Sequence, residues 1–215
     1  SGAVLIRGVI AAQQAHLVGT RVANFGEIIT GKNGIVTMTA GKDVYLAAAD
    51  SPAGSPHVYV QVSGATAGAS GASAAAAQDG AGVVNVGKIV APEGVVRLGA
   101  GDVYAAGIFN RGQIQALSVT MDAGASTALV SGSIDATNAT GKGGDVTITG
   151  NQVGVMGAHI DASGATGGGT VRVGGDFHGA AGTPTAQITG VTADATITAN
   201  ATGHGDGGRV AVWSD

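Results

Sequence analysis

The sequence predicts an all-β chain, a single-stranded parallel β-helix (β-solenoid) in which short strands stack coil upon coil. Three observations predict it. The unit Asn-x-Gly-x-Ile occurs at 24–28, 85–89 and 110–114, with looser echoes ending in Ile10, Ile134, Ile160 and Ile197. Short β-branched runs alternate apolar and polar residues with period two, the pattern of half-buried strands. The chain also lacks the material for one central core, since aromatic residues are 3% of it and Ala is as common as the 40 Gly.

In chain order, Arg7 to Ile10 is the first weak copy of the unit. Asn24, Gly26 and Ile28 form the first full one, followed by the alternating run Val36-Thr37-Met38-Thr39. Asn85, Gly87 and Ile89 repeat it, followed by Val96-Arg97-Leu98. The overlay of Asn24–Ala48 on Asn85–Ala106 sets Gly34 on Gly94, Met38 on Leu98 and Asp43-Val44-Tyr45 on Asp102-Val103-Tyr104. Tyr45 and Tyr104 are therefore expected to be equivalent and to pack along the shaft, with carbohydrate stacking as the rival role for them and for Trp213. Asn110, Gly112 and Ile114 form the third unit. Ile134–Val146 then overlays Ile160–Val171, with a third copy from Ile197 to Val210, so that Asn138 falls on Gly164.

The expected repeat corners are Asn24, Gly26, Asn85, Gly87, Asn110, Gly112, Asn138 and Gly164. The expected core stack is Ile28, Ile89, Ile114, Ile134, Ile160 and Ile197. Most steps between these isoleucines are near one coil, roughly 20–25 residues. The steps from Ile28 to Ile89 and from Ile160 to Ile197 leave room for insertions. About eight coils at ~4.8 Å each would make a rod roughly 40 Å long, with one or two loop insertions. One insertion is expected at 64–82, a low-complexity Ala/Gly/Ser loop, in a stack that occupies 1–215. Neither end carries an evident cap, so the stack is expected to continue in a longer chain.

Composition excludes several classes. Net charge is −4, only 11% of residues are charged, and no basic stripe exists, so nucleic acid is not an expected partner. No apolar stretch is long enough to be a transmembrane segment. Without cysteine there is no disulfide, thiolate metal site or Cys nucleophile. Absent cysteine also suits a chain threaded unfolded through an oxidising compartment.

The Asn-x-Gly-x-Ile units, the Ala-Gly-x-Asp-Val-Tyr units, Ile160–Val171 and the closing Gly-Gly-Arg-Val-Ala-Val-Trp-Ser-Asp together resemble the large filamentous-haemagglutinin-like exoproteins of Gram-negative bacteria, passengers of two-partner secretion. The likeness covers nearly the whole chain except roughly 64–82. It implies a right-handed helix, export through an outer-membrane β-barrel transporter, and a secreted or cell-surface protein that adheres to a host-cell, glycan or matrix surface. The family's secretion domain carries an Asn-Pro signature, and no Asn-Pro pair occurs here. The segment is therefore expected to be shaft downstream of that domain.

No catalytic residue, cofactor or metal site is expected. Gly203–Gly208 fits Gly-x-Gly-x-x-Gly, but a strand pattern follows where a dinucleotide site needs a helix. Asp145, Asp176 and Asp206 lack the strict spacing of calcium-binding solenoid repeats. Asp43 recurs as Asp102 and Asp135 as Asp161, which suits turn or capping residues better than an acid/base pair. The histidines His16, His57, His159, His178 and His204 have no metal spacing. Asn138-Ala139-Thr140 and Asn200-Ala201-Thr202 are formal glycosylation sequons; the Asn138–Gly164 exchange favours a left-handed corner instead. The rivals to an adhesive shaft are a fibre module that self-associates end to end and a solenoid enzyme acting on polysaccharide.

Overall fold

The computed structural model describes residues 2–41, 43–49, 57–63, 80–101, 106–179 and 182–215. Among these, three parallel ladders of seven strands each run the length of the chain. The first stacks Ala3–Ile6, Arg21–Asn24, Ala81–Asn85, Ala106–Asn110, Thr127–Val130, Gln152–Val155 and Ile188–Val191. The second begins with Val9–Ala11 and ends with Thr196–Thr198; the third begins with Gln14–Gly19 and ends with Arg209–Val212. The long strands Lys88–Ala100 and Gln113–Asp122 serve the second ladder with their first halves and the third with their second halves. Every ladder pairing is parallel, so the fold is all-β with its strands in stacked sheets.

The seven isoleucines of the recurring unit lie in one unbroken register: Ile10, Ile28, Ile89, Ile114, Ile134, Ile160 and Ile197. Ile28 through Ile160 are at most 1% exposed, and the outer two are half-buried. Each buried isoleucine contributes about 1.5–3 kcal/mol of transfer free energy. Opposite them, on the third ladder, run Val36, Val96, Val119, Val146 and Val171, and beside these Met38, Leu98, Met121, Ile148 and Val173. The first ladder adds a further file to the same core, Val22, Val83, Ile108, Ala128 and Val153. Because strands alternate faces, the outer side of the first ladder carries a separate buried cluster, Val84, Phe109 and Leu129.

Two expectations are corrected here. Asp43-Val44-Tyr45 does not continue the stack: Asp43–Ala49 pairs antiparallel with His57–Ser63 as a separate two-stranded sheet, Tyr45 opposite Gln61. Tyr104 lies outside the described residues. The expected loop at 64–82 ends earlier, because Ala81 and Gly82 belong to the strand Ala81–Asn85, in register with Ala106–Asn110. Residues 64–79 lie outside the described part.

Candidate functional site: the corner ladders and the stacked loops

At the corner after the first ladder, Asn24, Asn85 and Asn110 are stacked in register and fully buried. They bond chiefly to one another. Asn24 Nδ2–H donates to Asn85 Oδ1 (2.9 Å), and Asn85 Nδ2–H donates to Asn110 Oδ1 (2.8 Å). Two turn contacts remain: Gly26 N–H donates to Asn24 Oδ1, and Asn24 Nδ2–H also approaches the Lys88 carbonyl. The backbone carbonyls repeat the pattern. Asn24 O accepts from Val86 and Gly87, Asn85 O from Arg111 and Gly112, and Asn110 O from Ser131 and Gly132. Beyond Asn110 the file continues as Val130 and Val155, both fully buried, and Asn110 Nδ2 has no partner among the described residues.

Gly26, Gly87, Gly112 and Gly132 form the companion file. A Cβ on any of them would sit 2.0 Å from the carbonyl oxygen of the glycine one rung earlier, Gly8, Gly26, Gly87 and Gly112 respectively. None of the four has positive φ. Glycine is needed because neighbouring rungs touch through bare backbone, and that is a different reason from left-handed turn geometry. The same correction applies to Asn138 and Gly164, neither of which is left-handed. Asn138 Oδ1 accepts from the N–H groups of Thr140 and Gly141, an Asx turn, and a Cβ on Gly164 would lie 2.1 Å from Gly143 N. The non-glycine residues that do take positive φ in the described part are Asn33, Glu93 and His178.

Between the second and third ladders, residues 136–144, 162–169 and 199–208 form three loops lying one above another, joined by bridges from Asn138 to Gly164 and from Gly164 to Ala201. Gly143, Gly168, Gly169 and Gly208 again meet neighbouring backbone where a Cβ would be, at 1.9–2.1 Å. Gly203–Gly208 lies in the last of these loops and leads into the strand Arg209–Val212, so it is a turn between rungs. The loops border a shallow open cleft of about 380 Å³ edged by Lys142, Thr166, Thr170, Asp206 and Arg209.

Next to it, Asp176 is nearly buried between two cations: Arg172 Nε–H donates to it at 2.9 Å, and an Arg209 Nη also bonds to it. Phe177, His178 and Trp213 gather edge-on beside this network, with ring centroids 4.2–5.8 Å apart. Sequence reasoning missed this cluster. Its visible signal was one arginine in each of two successive strands, which the ladder sets two places apart, with Thr170 opposite Arg209 and Arg172 opposite Ala211.

Three carboxylates here titrate below the ordinary range. Partial burial opposes ionisation of Asp161, but hydrogen bonds from the Ser163 and Thr198 hydroxyls and the Ser163 N–H, with the charge of His159, outweigh it. The Arg172 hydrogen bond, then the Phe177 N–H, hold Asp176 down. The Thr192 hydroxyl and backbone N–H groups do so for Asp194. Asp135 and Asp161 are in register, and each accepts the N–H two residues on, as turn-capping residues do. Among the described residues no three of His, Asp and Glu converge as a metal site, and no helix is long and apolar enough to cross a membrane.

A carboxylate whose folded pKa is depressed stabilises the fold fully above its unfolded pKa, near 3.9, and loses that contribution as pH falls through the folded value. All three belong to the last rungs. Between about pH 5 and 7 they should leave stability flat; below about pH 4 amide protection should fail first after residue 156. Hydrogen exchange at pH 3.5 tests this, and earlier loss of protection in the Arg21–Ala40 rungs would count against it.

No protein-family model matches the chain, and no curated protein matches it in sequence. Among solved structures, the chain is similar to the HMW1 secretion domain from Haemophilus influenzae, with 27% identity and a TM-score of 0.76. The match covers 99% of this chain and 54% of that one, so the chain spans about half the length of that structure.

Proposed function

We propose that the chain is a structural, non-catalytic module of a secreted, adhesin-related protein of a Gram-negative bacterium, a right-handed parallel β-helix exported by a two-partner route. The likeness over 99% of the chain to a secretion domain carries this reading. It also bears on the expected place of the segment. The missing Asn-Pro pair put it in the shaft downstream, whereas the three-dimensional likeness is to a secretion domain. The module therefore contributes to passage through an outer-membrane β-barrel transporter, its stacked rungs forming one after another on the far side. The parallel ladders suit that task, since each new rung needs only the preceding rung as template.

The test is export. The chain is placed behind a signal peptide and produced with and without a two-partner outer-membrane transporter. Appearance in the medium only with the transporter supports the secretion-module reading. Retention in the periplasm in both cases, while the native full-length polypeptide is found outside the cell, favours the shaft as the second reading. A native polypeptide found only in the cytoplasm overturns both.

A further inference from the structure

We propose that the cleft between the stacked loops, together with the aromatic group beside it, is a binding site for a neutral oligosaccharide. The cleft has a floor of bare backbone, because Gly168 and Gly169 leave no room for side chains: a Cβ on Gly168 would lie 2.0 Å from Ala199 O. Its rim alternates in chemistry, with Lys142 and Arg209 as donors, Asp206 as acceptor, and the Thr166 and Thr170 hydroxyls able to be either. Sugar hydroxyls, each donor and acceptor at once, match such a rim. A polyanion does not, because Asp206 stands on the rim, Asp176 offsets the charge of Arg209 while leaving its other N–H groups free to donate, and the chain carries a net charge of −4.

The second element is apolar. Phe177 follows Asp176 directly and is 59% exposed, while its ring is braced edge-on by His178 and Trp213. A braced, solvent-facing ring offers a flat surface to the C–H face of a pyranose without losing side-chain freedom on binding. The assignment rests on the surface exposure of the module and not on its export route, and the binding experiment is independent of the export assay.

Trp213 is the only tryptophan, so its emission reports this corner alone. The 215-residue chain is titrated with maltotriose, cellotriose and N,N′-diacetylchitobiose, and with 3′-sialyllactose and a heparin hexasaccharide as charged probes, by fluorescence and calorimetry. Saturable binding of at least one neutral probe is expected, with a dissociation constant between about 10 μM and 1 mM. Phe177→Ala and Lys142→Ala should each weaken it about tenfold or more at unchanged melting temperature. Lys142 takes no part in the Asp176 network, so its substitution keeps the test meaningful if Phe177→Ala loosens the loop. No saturable neutral binding up to about 10 mM, binding of charged probes alone, or undiminished affinity in Lys142→Ala would each overturn the assignment.

Discussion

Replacing Gly112 by alanine is expected to cost about 3 kcal/mol or more, enough to unfold a marginal stack, whereas the same change at Gly8 should be nearly neutral. The two residues hold equivalent places in one file. A Cβ on Gly112 would lie 2.0 Å from Gly87 O and 2.7 Å from Val86 C, both backbone atoms. It could be accommodated only by separating two rungs, and separation breaks the pairs on either side, Asn85 with Asn110 and Lys88 with Gln113. At Gly8 nothing lies within 4 Å of the added atom. Propensity, chain entropy and side-chain chemistry are the same at both sites, so the difference isolates rung-to-rung contact. Urea unfolding of Gly8→Ala, Gly87→Ala and Gly112→Ala measures it. Three similar midpoints would mean that the rungs are not in backbone contact at this corner.

The second large effect is expected to be non-additive. Asn85→Val removes both side-chain bonds of the middle asparagine, takes the side-chain partner from Asn110 Oδ1 and leaves Asn24 Nδ2 with only its 3.4 Å contact to the Lys88 carbonyl. Each orphan costs about 1–3 kcal/mol, so the single substitution should destabilise by about 2–5 kcal/mol. Replacing Asn24, Asn85 and Asn110 together by Val removes the orphans with the bonds and extends the file that Val130 and Val155 already continue. The remaining losses are the Gly26 N–H bond to Asn24, worth about 1 kcal/mol, and the long Asn24 contact with the Lys88 carbonyl. The triple variant is thus expected to be more stable than Asn85→Val. If calorimetry finds it less stable by the sum of three single losses, the asparagines act independently and not as a ladder.

The register of the stack was legible in the sequence because period-two strands leave little choice. A one-residue slip would turn each isoleucine outward, so the residues Ile10 to Ile197 and Val36 to Val210 could be aligned by eye and fall opposite one another in the ladders. What could not be read was which alternating run joins the stack. Asp43-Val44-Tyr45 has the same alternation as a rung, and its antiparallel partner His57–Ser63 is recognisable only once the two are paired. The role of glycine at the corners was also hidden. Left-handed conformation and close approach both demand glycine, and only the distances to Gly26 O, Gly87 O and Gly112 O tell them apart. The Phe177–Trp213 contact joins residues far apart in the chain, and no local pattern announces it.

The bond from Asn24 to Asn85 spans 61 positions, and the chain that leaves the stack at Gly41 rejoins it at Ala81 with the same partners it would have had without the detour. The specification of the next rung therefore resides at the point of return, in Asn85, Gly87 and Ile89, and owes nothing to the excursion between. Loop-closure entropy rises by only about 0.6 kcal/mol for each doubling of length. Such a corner behaves as a socket, where a lineage can exchange the intervening segment for another while the rod itself is inherited intact.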